Sequence, residues 1–133
     1  MVEFFRLRSR SFRFAFAGWW HVIRTQKNAW IHAVLSIIVI VLAFLLRLTP
    51  RDLAVLIITI TMVWTAEFLN TALEVVVDLA SPQLHPLAKV GKDVGAAAVL
   101  IAALASVVVG LLILGPPLLT AMNILFSSLF IQK

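Results

Sequence analysis

Residues 64–80 read WTAEFLNTALEVVVDLA. Glu67, Glu74 and Asp78 are the acids of this stretch, and Asn70 adds an amide among them. At about 100° per residue, the four side chains fall near about 0°, 340°, 20° and 300° of a helix, one narrow stripe. The remainder is chiefly Phe, Leu, Ala and Val. A carboxylate turned toward acyl chains costs on the order of 2.5–3.5 kcal/mol even on the lenient insertion scale. The stripe therefore has to face protein, a water-filled cleft or a bound cation. Packing alone needs far fewer acids than this. A buried salt-bridge stripe, with Arg24, Lys89 or Lys92 as partners, is the plain alternative.

A second cluster, HPLAKVGKDVGAAAVL, covers residues 85–100. Lys92 and Asp93 are expected to start a helix there. Such a start offers free N–H groups to anions, and Lys92 adds a positive charge. A phosphate chain fits that chemistry, with Mg²⁺ bridging it to carboxylates such as Glu74. An Asp at a helix start is also a common stabiliser, so the pair gains weight only from sharing a membrane side with the acidic stripe. Gly95 and the alanines at 96–98 allow close helix packing. No GxxxxGK[ST] phosphate loop occurs, so a nucleotide site here has another design.

The elements that must hold these residues are membrane helices. The chain has 133 residues, 62% hydrophobic and 13% charged, and its mean hydropathy is +1.08. Soluble domains run at about 45–50% apolar and about 25% charged. A bilayer core of about 30 Å needs roughly 20 apolar residues. Ala29 to Leu46, Leu53 to about Leu79, and Val94 to Leu114 read as three transmembrane helices. Thr49-Pro50-Arg51-Asp52 reads as a tight turn and residues 80–92 as a polar loop. Gly115-Pro116-Pro117 is expected to end the third helix, and 118–132 reads as a short interfacial or partly inserted helix. The division is thus a basic amphipathic surface helix over 1–28, a three-helix membrane unit over 29–115 and an apolar tail over 116–133.

Arg6, Arg8, Arg10, Arg13, Arg24 and Lys27 precede the first span, and that first apolar run is too long for the core of a secretory signal. By the positive-inside rule they put the N-terminus and the 80–92 loop in the cytoplasm. Residues 4–24 mix Arg with Phe and Trp and suit an anionic membrane face. Trp19, Trp20 and Trp30 are expected to mark the interface. Asp78 then lies near the inner surface, with Glu67 about 16 Å deeper along the axis. A site open to water at one end and sunk into lipid at the other suits chemistry between a soluble substrate and a lipid headgroup. With no cysteine, disulfides and thiolate metal sites are excluded.

EFLNTALEVVVD (67–78) together with HPLAKVGKDVGAAAVL (85–100) resembles the signature of the small prokaryotic integral-membrane lipid kinases, the diacylglycerol kinases and their undecaprenol kinase relatives. SFRFAFAGWWHVIRTQKNAWIH (11–32) is similar to their amphipathic N-terminal segment. The match runs without gaps from about 11 to 114, and HPLAKVGKDV is closer to the undecaprenol kinase branch. The resemblance implies an all-α trimeric bundle in the bacterial cytoplasmic membrane, with active sites shared between subunits. It implies Mg²⁺, ATP as phosphoryl donor and a membrane lipid alcohol as acceptor. By motif position, Glu67 matches the general base, and Asn70 and Glu74 match residues near the γ-phosphate, Glu74 also holding metal. Lys92 and Asp93 match nucleotide-binding residues, and Gln83, Leu84 and His85 a loop contact with the nucleotide. Phe14 stands where the family often has an aromatic near the adenine. Asp78 matches a common acidic position.

One residue departs from the pattern. Gln26 stands where the family usually has a metal-binding Glu. A Gln carbonyl still ligates Mg²⁺ but brings no charge. His32 reads as a satisfied polar residue at a helix start. Three functions stay open: an undecaprenol kinase, a diacylglycerol kinase, and a catalytically weakened or silent membrane scaffold. A nucleic-acid role is disfavoured, because the arginines alternate with Phe beside a membrane span.

Overall fold

The computed structural model describes residues 2–83 and 85–130, with side chains over 10–128 apart from 84. Four helices follow one another: α1 (Val2–Thr25), α2 (Lys27–Leu45), α3 (Pro50–Ala80) and α4 (Pro86–Phe130). Segments Lys27–Leu45, Pro50–Ala80 and Pro86–Ser128 are each long and apolar enough to cross a membrane. The chain is therefore an all-α, multi-pass membrane protein. Its large apolar side chains point outward along all three, as at Ile37, Ile58 and Ile101.

The joints follow from local chemistry. Between α1 and α2 only Gln26 leaves the helix, at φ −99° and ψ 115°. After α2, Arg47 takes a left-handed φ of 52°. That geometry lets Arg47 N–H donate to Phe44 O at 3.1 Å and Leu48 N–H to Ala43 O at 3.0 Å, closing the last turn. The tight turn expected at 49–52 is displaced: Pro50 is already the first residue of α3. Thr49 caps it, its hydroxyl oxygen accepting from Asp52 N–H at 3.2 Å and its O–H donating to the Asp52 carboxylate at 2.8 Å.

Two further expectations are corrected. The polar loop is only residues 81–85, because Pro86 starts α4; a proline costs nothing at the first helical position. Lys92 and Asp93 thus sit in the second turn and not at the helix start. Nor does Gly115-Pro116-Pro117 end the helix, which continues to Phe130. Proline removes the bonds to the Leu112 and Ile113 carbonyls, but its fixed φ is helical, and such breaks are tolerated in membrane helices. Thr120 donates its hydroxyl to Pro116 O at 3.0 Å just beyond. Residues 118–130 are continuous with the third span and form no separate helix.

One end of the bundle is closed by an apolar cluster. Ala43, Leu56 and Leu114 are buried, with Leu42, Leu48 and Leu118 packed on them. The polar stripe lies at the other end. In lipid the helices gain little from hiding apolar area, so close approach must hold them. That approach is tightest between α3 and α4 at Gly95. A Cβ built there overlaps Asn70 Oδ1 and meets Leu73 Cδ2 at 3.0 Å, whereas one at Gly91 meets only Val77 Cγ2 at 3.8 Å. Gly95→Ala should therefore lower stability in detergent by about 1–3 kcal/mol, the usual range for overpacking. Gly91→Ala, gaining helix propensity without a clash, should be neutral or stabilising by up to about 1 kcal/mol. Thermal unfolding of the pair checks the opposite signs.

Candidate active site

The 31 residues of α3 make a rod of about 46 Å, against about 30 Å of hydrocarbon. With its Pro50 end at one face, its Glu74–Ala80 end clears the other. Exposure rises along the stripe accordingly. Glu67 is 2% exposed and Asn70 8%, Glu74 is half-buried and Asp78 is exposed. The stripe inferred from helical spacing is thus one surface, graded from buried to open.

Glu74 is its hub. Gln26 Nε2 donates to Glu74 Oε2 at 3.0 Å and Asn70 Nδ2 donates to Glu74 Oε1 at 3.2 Å. The chain break at Gln26 makes the first bond geometrically available, since an extended residue between two helices can turn its side chain toward α3. Asn70 Oδ1 is buried with no hydrogen-bond partner. Deeper in, His32 Nε2 stands 4.0 Å from Glu67 Oε2 and is likewise buried without a partner. The expectation of a satisfied His32 is therefore corrected: the helix that carries it supplies no group to its Nε2.

These residues enclose a cavity of about 250 Å³, lined by Gln26, Asn28, His32, Glu67, Asn70 and Glu74, with Ala96, Val99 and Leu100 of α4 opposite. No lysine or arginine among the described residues pairs with Glu67 or Glu74. Of the stripe's acids only Asp78 meets a lysine, Lys92 Nζ at 2.6 Å, and that pair lies at the exposed end, so the described residues show no buried salt-bridge stripe. Also among the described residues, no group of three or more His, Asp or Glu is placed to hold a metal ion by itself. At Glu74 the cavity offers a carboxylate flanked by the amides of Gln26 and Asn70, whose carbonyl oxygens are hard donors. Mg²⁺ is usually held in this way, by one or two protein groups with the rest from water and phosphate. The orphaned Asn70 Oδ1 fits the same donor set.

One helical turn along, a second and more open cavity of about 560 Å³ is lined by Asp78, Gln83, His85, Lys89, Lys92 and Asp93. Four of the residues singled out for nucleotide binding, Gln83, His85, Lys92 and Asp93, thus come together. Lys89 Nζ bonds Asp93 at 2.9 Å, so each lysine is matched by an aspartate. His85 Nδ1 accepts the Leu87 N–H at 3.2 Å, which caps the start of α4. The contact expected of Leu84 lies outside the described residues. Phe14 joins neither cavity: it is 60% exposed on α1, with the Arg13 guanidinium 5.6 Å from its ring centre.

Trp64 and Ser36 went unnoticed in the sequence. Trp64 donates Nε1–H to Ser36 Oγ at 3.2 Å, and Ser36 donates to His32 O at 2.6 Å. The Trp64 ring meets His32 edge-on at 6.5 Å. Trp19, expected at the interface, stacks on Trp64 at 5.3 Å and so ties α1 to α3. The signals were faint: Trp64 three residues before Glu67, Ser36 four after His32.

The family model described as prokaryotic diacylglycerol kinase matches residues 13–114, the stretch that carries every one of these side chains. A diacylglycerol kinase of Synechocystis sp. is 50% identical over 113 residues, 84% of this chain and 65% of the relative. The chain thus spans slightly under two thirds of that protein's length. An undecaprenol kinase of Bacillus subtilis is 38% identical over 109 residues, 82% of this chain and 89% of the relative. A diacylglycerol kinase of Pseudomonas aeruginosa is 38% identical over 69 residues, 52% of this chain and 56% of the relative. With its three apolar helices and a family match over most of its length, the chain belongs to the prokaryotic diacylglycerol kinase family.

Proposed function

We propose that this protein is an ATP-dependent lipid kinase, moving the γ-phosphoryl group of ATP to the hydroxyl of a membrane lipid alcohol. One observation carries the reading: Glu67 is buried within a helix apolar enough to span a membrane, paired with no lysine or arginine among the described residues, at the wall of a cavity. An ion that costly to place is explained by work as a proton acceptor. The acceptor oxygen forms a bond to the γ-phosphorus while the bond to the β,γ-bridging oxygen breaks. ADP leaves with that electron pair, and Glu67 takes the hydroxyl proton. Phosphoryl transfer asks little else of a protein beyond positioning and charge neutralisation.

The triphosphate is assigned to the second cavity and its mouth toward Glu74. Lys92 is the cation it would take over from Asp78, while Gln83, His85 and Asp93 border the rest of the nucleotide. Glu74 and Gln26, with Asn70 beside them, would hold Mg²⁺. That ion would neutralise charge building on the phosphate oxygens. The basic residues ahead of α2 favour a cytoplasmic N-terminus. The cavity mouth is bordered by exposed Asn28, Ile31, Ala96 and Leu100, a surface that suits cover by a neighbouring copy in a homotrimer.

For the acceptor we take undecaprenol first, on the HPLAKVGKDV motif and the Bacillus relative. Diacylglycerol is the second reading, favoured by the higher identity of the Synechocystis relative. Labelled ATP, offered to both lipids in one micelle, should mark the polyprenol preferentially. Preferential labelling of diacylglycerol reverses the order, and no labelled lipid at excess Mg²⁺ ends the kinase reading. Glu67→Gln should cut kcat by about 10²–10⁴-fold, the usual worth of a general base. Gln26→Glu should place a second carboxylate against Glu74. It should unfold at a lower temperature than wild type in chelator and need less Mg²⁺ for half-maximal rate, since like charges a few ångströms apart repel until a cation joins them. Equal Mg²⁺ titrations of the two proteins would remove Gln26 from the metal site.

A further inference from the structure

We infer that His32 and Glu67 together seat the hydroxyl of the acceptor lipid, His32 Nε2–H donating to the oxygen whose proton Glu67 receives. The inference rests on the lipid kinase reading and adds a substrate-binding residue to it. His32 Nε2 and Glu67 Oε2 are 4.0 Å apart, too far to bond each other directly. An oxygen about 2.8–2.9 Å from each spans that gap with an angle near a right angle, acceptable for an alcohol that donates once and accepts once. Nε2 is buried and unpartnered, a state that costs free energy unless something arrives to satisfy it. Both groups line the same 250 Å³ cavity.

Two features make the arrangement specific to a lipid alcohol. The imidazole meets the Trp64 ring edge-on at 6.5 Å, and Ser36 holds that indole by accepting its Nε1–H. His32 also lines a second, smaller crevice of about 70 Å³ with Ser36, Leu56, Thr59, Val63 and Gly110. From Val63 to Leu56 that crevice runs away from the carboxylates toward the apolar cluster. Its lining is mostly apolar, so it suits the start of an alkyl chain better than a sugar. A hydroxyl at His32 thus has the phosphate side on one hand and room for its tail on the other.

The test uses ¹⁵N-histidine-labelled protein in nanodiscs, the His32 signal being assigned by its loss in His32→Gln. Adding dioleoylglycerol or undecaprenol should shift the His32 ring nitrogens and leave those of His21 and His85 in place. The 3-deoxy analogue of dioleoylglycerol, with a hydrogen in place of the hydroxyl, has no oxygen for His32 and should leave its signal unmoved. An equal shift with the deoxy analogue, or none with either alcohol, overturns the proposal. In the kinase assay, His32→Phe should raise KM for the acceptor about tenfold, equivalent to one lost hydrogen bond, with KM for ATP unchanged. His32→Gln, whose amide can donate, should recover most of that loss. An unchanged acceptor KM in His32→Phe, or a parallel rise in both KM values, sinks the assignment. A wild type that phosphorylates neither lipid removes the kinase reading, and the ¹⁵N shifts then still decide whether His32 holds an alcohol.

Discussion

A carboxylate inside a bilayer has few tolerable surroundings, and the placement of Glu67 governs much of this molecule. The acid cannot face acyl chains, so α3 is rotated to turn its stripe inward against α2 and α4. Once that rotation is set, the other polar groups follow by helical spacing. Asn70 falls beneath Gly95, Glu74 falls opposite Gln26, and Asp78 meets Lys92 where α3 emerges. The stripe is therefore also the register device of the bundle. Apolar side chains alone would leave α3 free to turn, because leucine is as comfortable against lipid as against leucine.

The close α3–α4 contact and the site are one feature. Gly95 has no side chain because Asn70 Oδ1 occupies the space where one would begin. That contact holds the Asn70 amide in place, and Asn70 in turn fixes one oxygen of Glu74. The other oxygen is fixed by Gln26, the residue at which the surface helix becomes the first span. Glu74 is consequently held from two sides by elements far apart in sequence. Such rigidity suits a group that must present charge at a fixed point.

Much of this was legible from residue order. The stripe needed only the 100° step of a helix and the cost of charge in lipid. The three spans needed only length and composition. Family membership followed from two motifs at a fixed separation, and the comparison over 13–114 bears it out. What failed were boundaries set by proline. At Pro50 and Pro86 the residue opens a helix, where its missing N–H is harmless; at Pro116 and Pro117 it lies within one, where a water-based rule expects a break. Phe14 illustrates another limit. Its expected place near an adenine came from resemblance alone, and within one copy of the chain its ring lines neither cavity. His32 was misjudged for the reverse reason. Its helix-start position suggested a local partner, but its Nε2 faces Glu67 across the bundle, beside a Trp64 ring that no spacing rule connects to it.

Gln26 stands where the resemblance implies a metal-binding Glu, and its chemistry differs from that of an acid. Two carboxylates at the 3.0 Å separation seen between Gln26 and Glu74 would repel strongly in a half-buried setting, and only a cation or a shared proton would hold them together. An amide reverses that relation. It donates to Glu74, so the junction of α1 and α2 stays docked on α3 with no ion present. The same amide retains a carbonyl oxygen, and rotation about its last torsion exchanges donor for acceptor at little steric cost, the two ends being nearly the same size. If the site takes the Mg²⁺ proposed for it, Gln26 would close it when empty and contribute an oxygen when the cation arrives, at lower charge than a glutamate would supply. Metal affinity would then be traded for a site already assembled before its ligands bind.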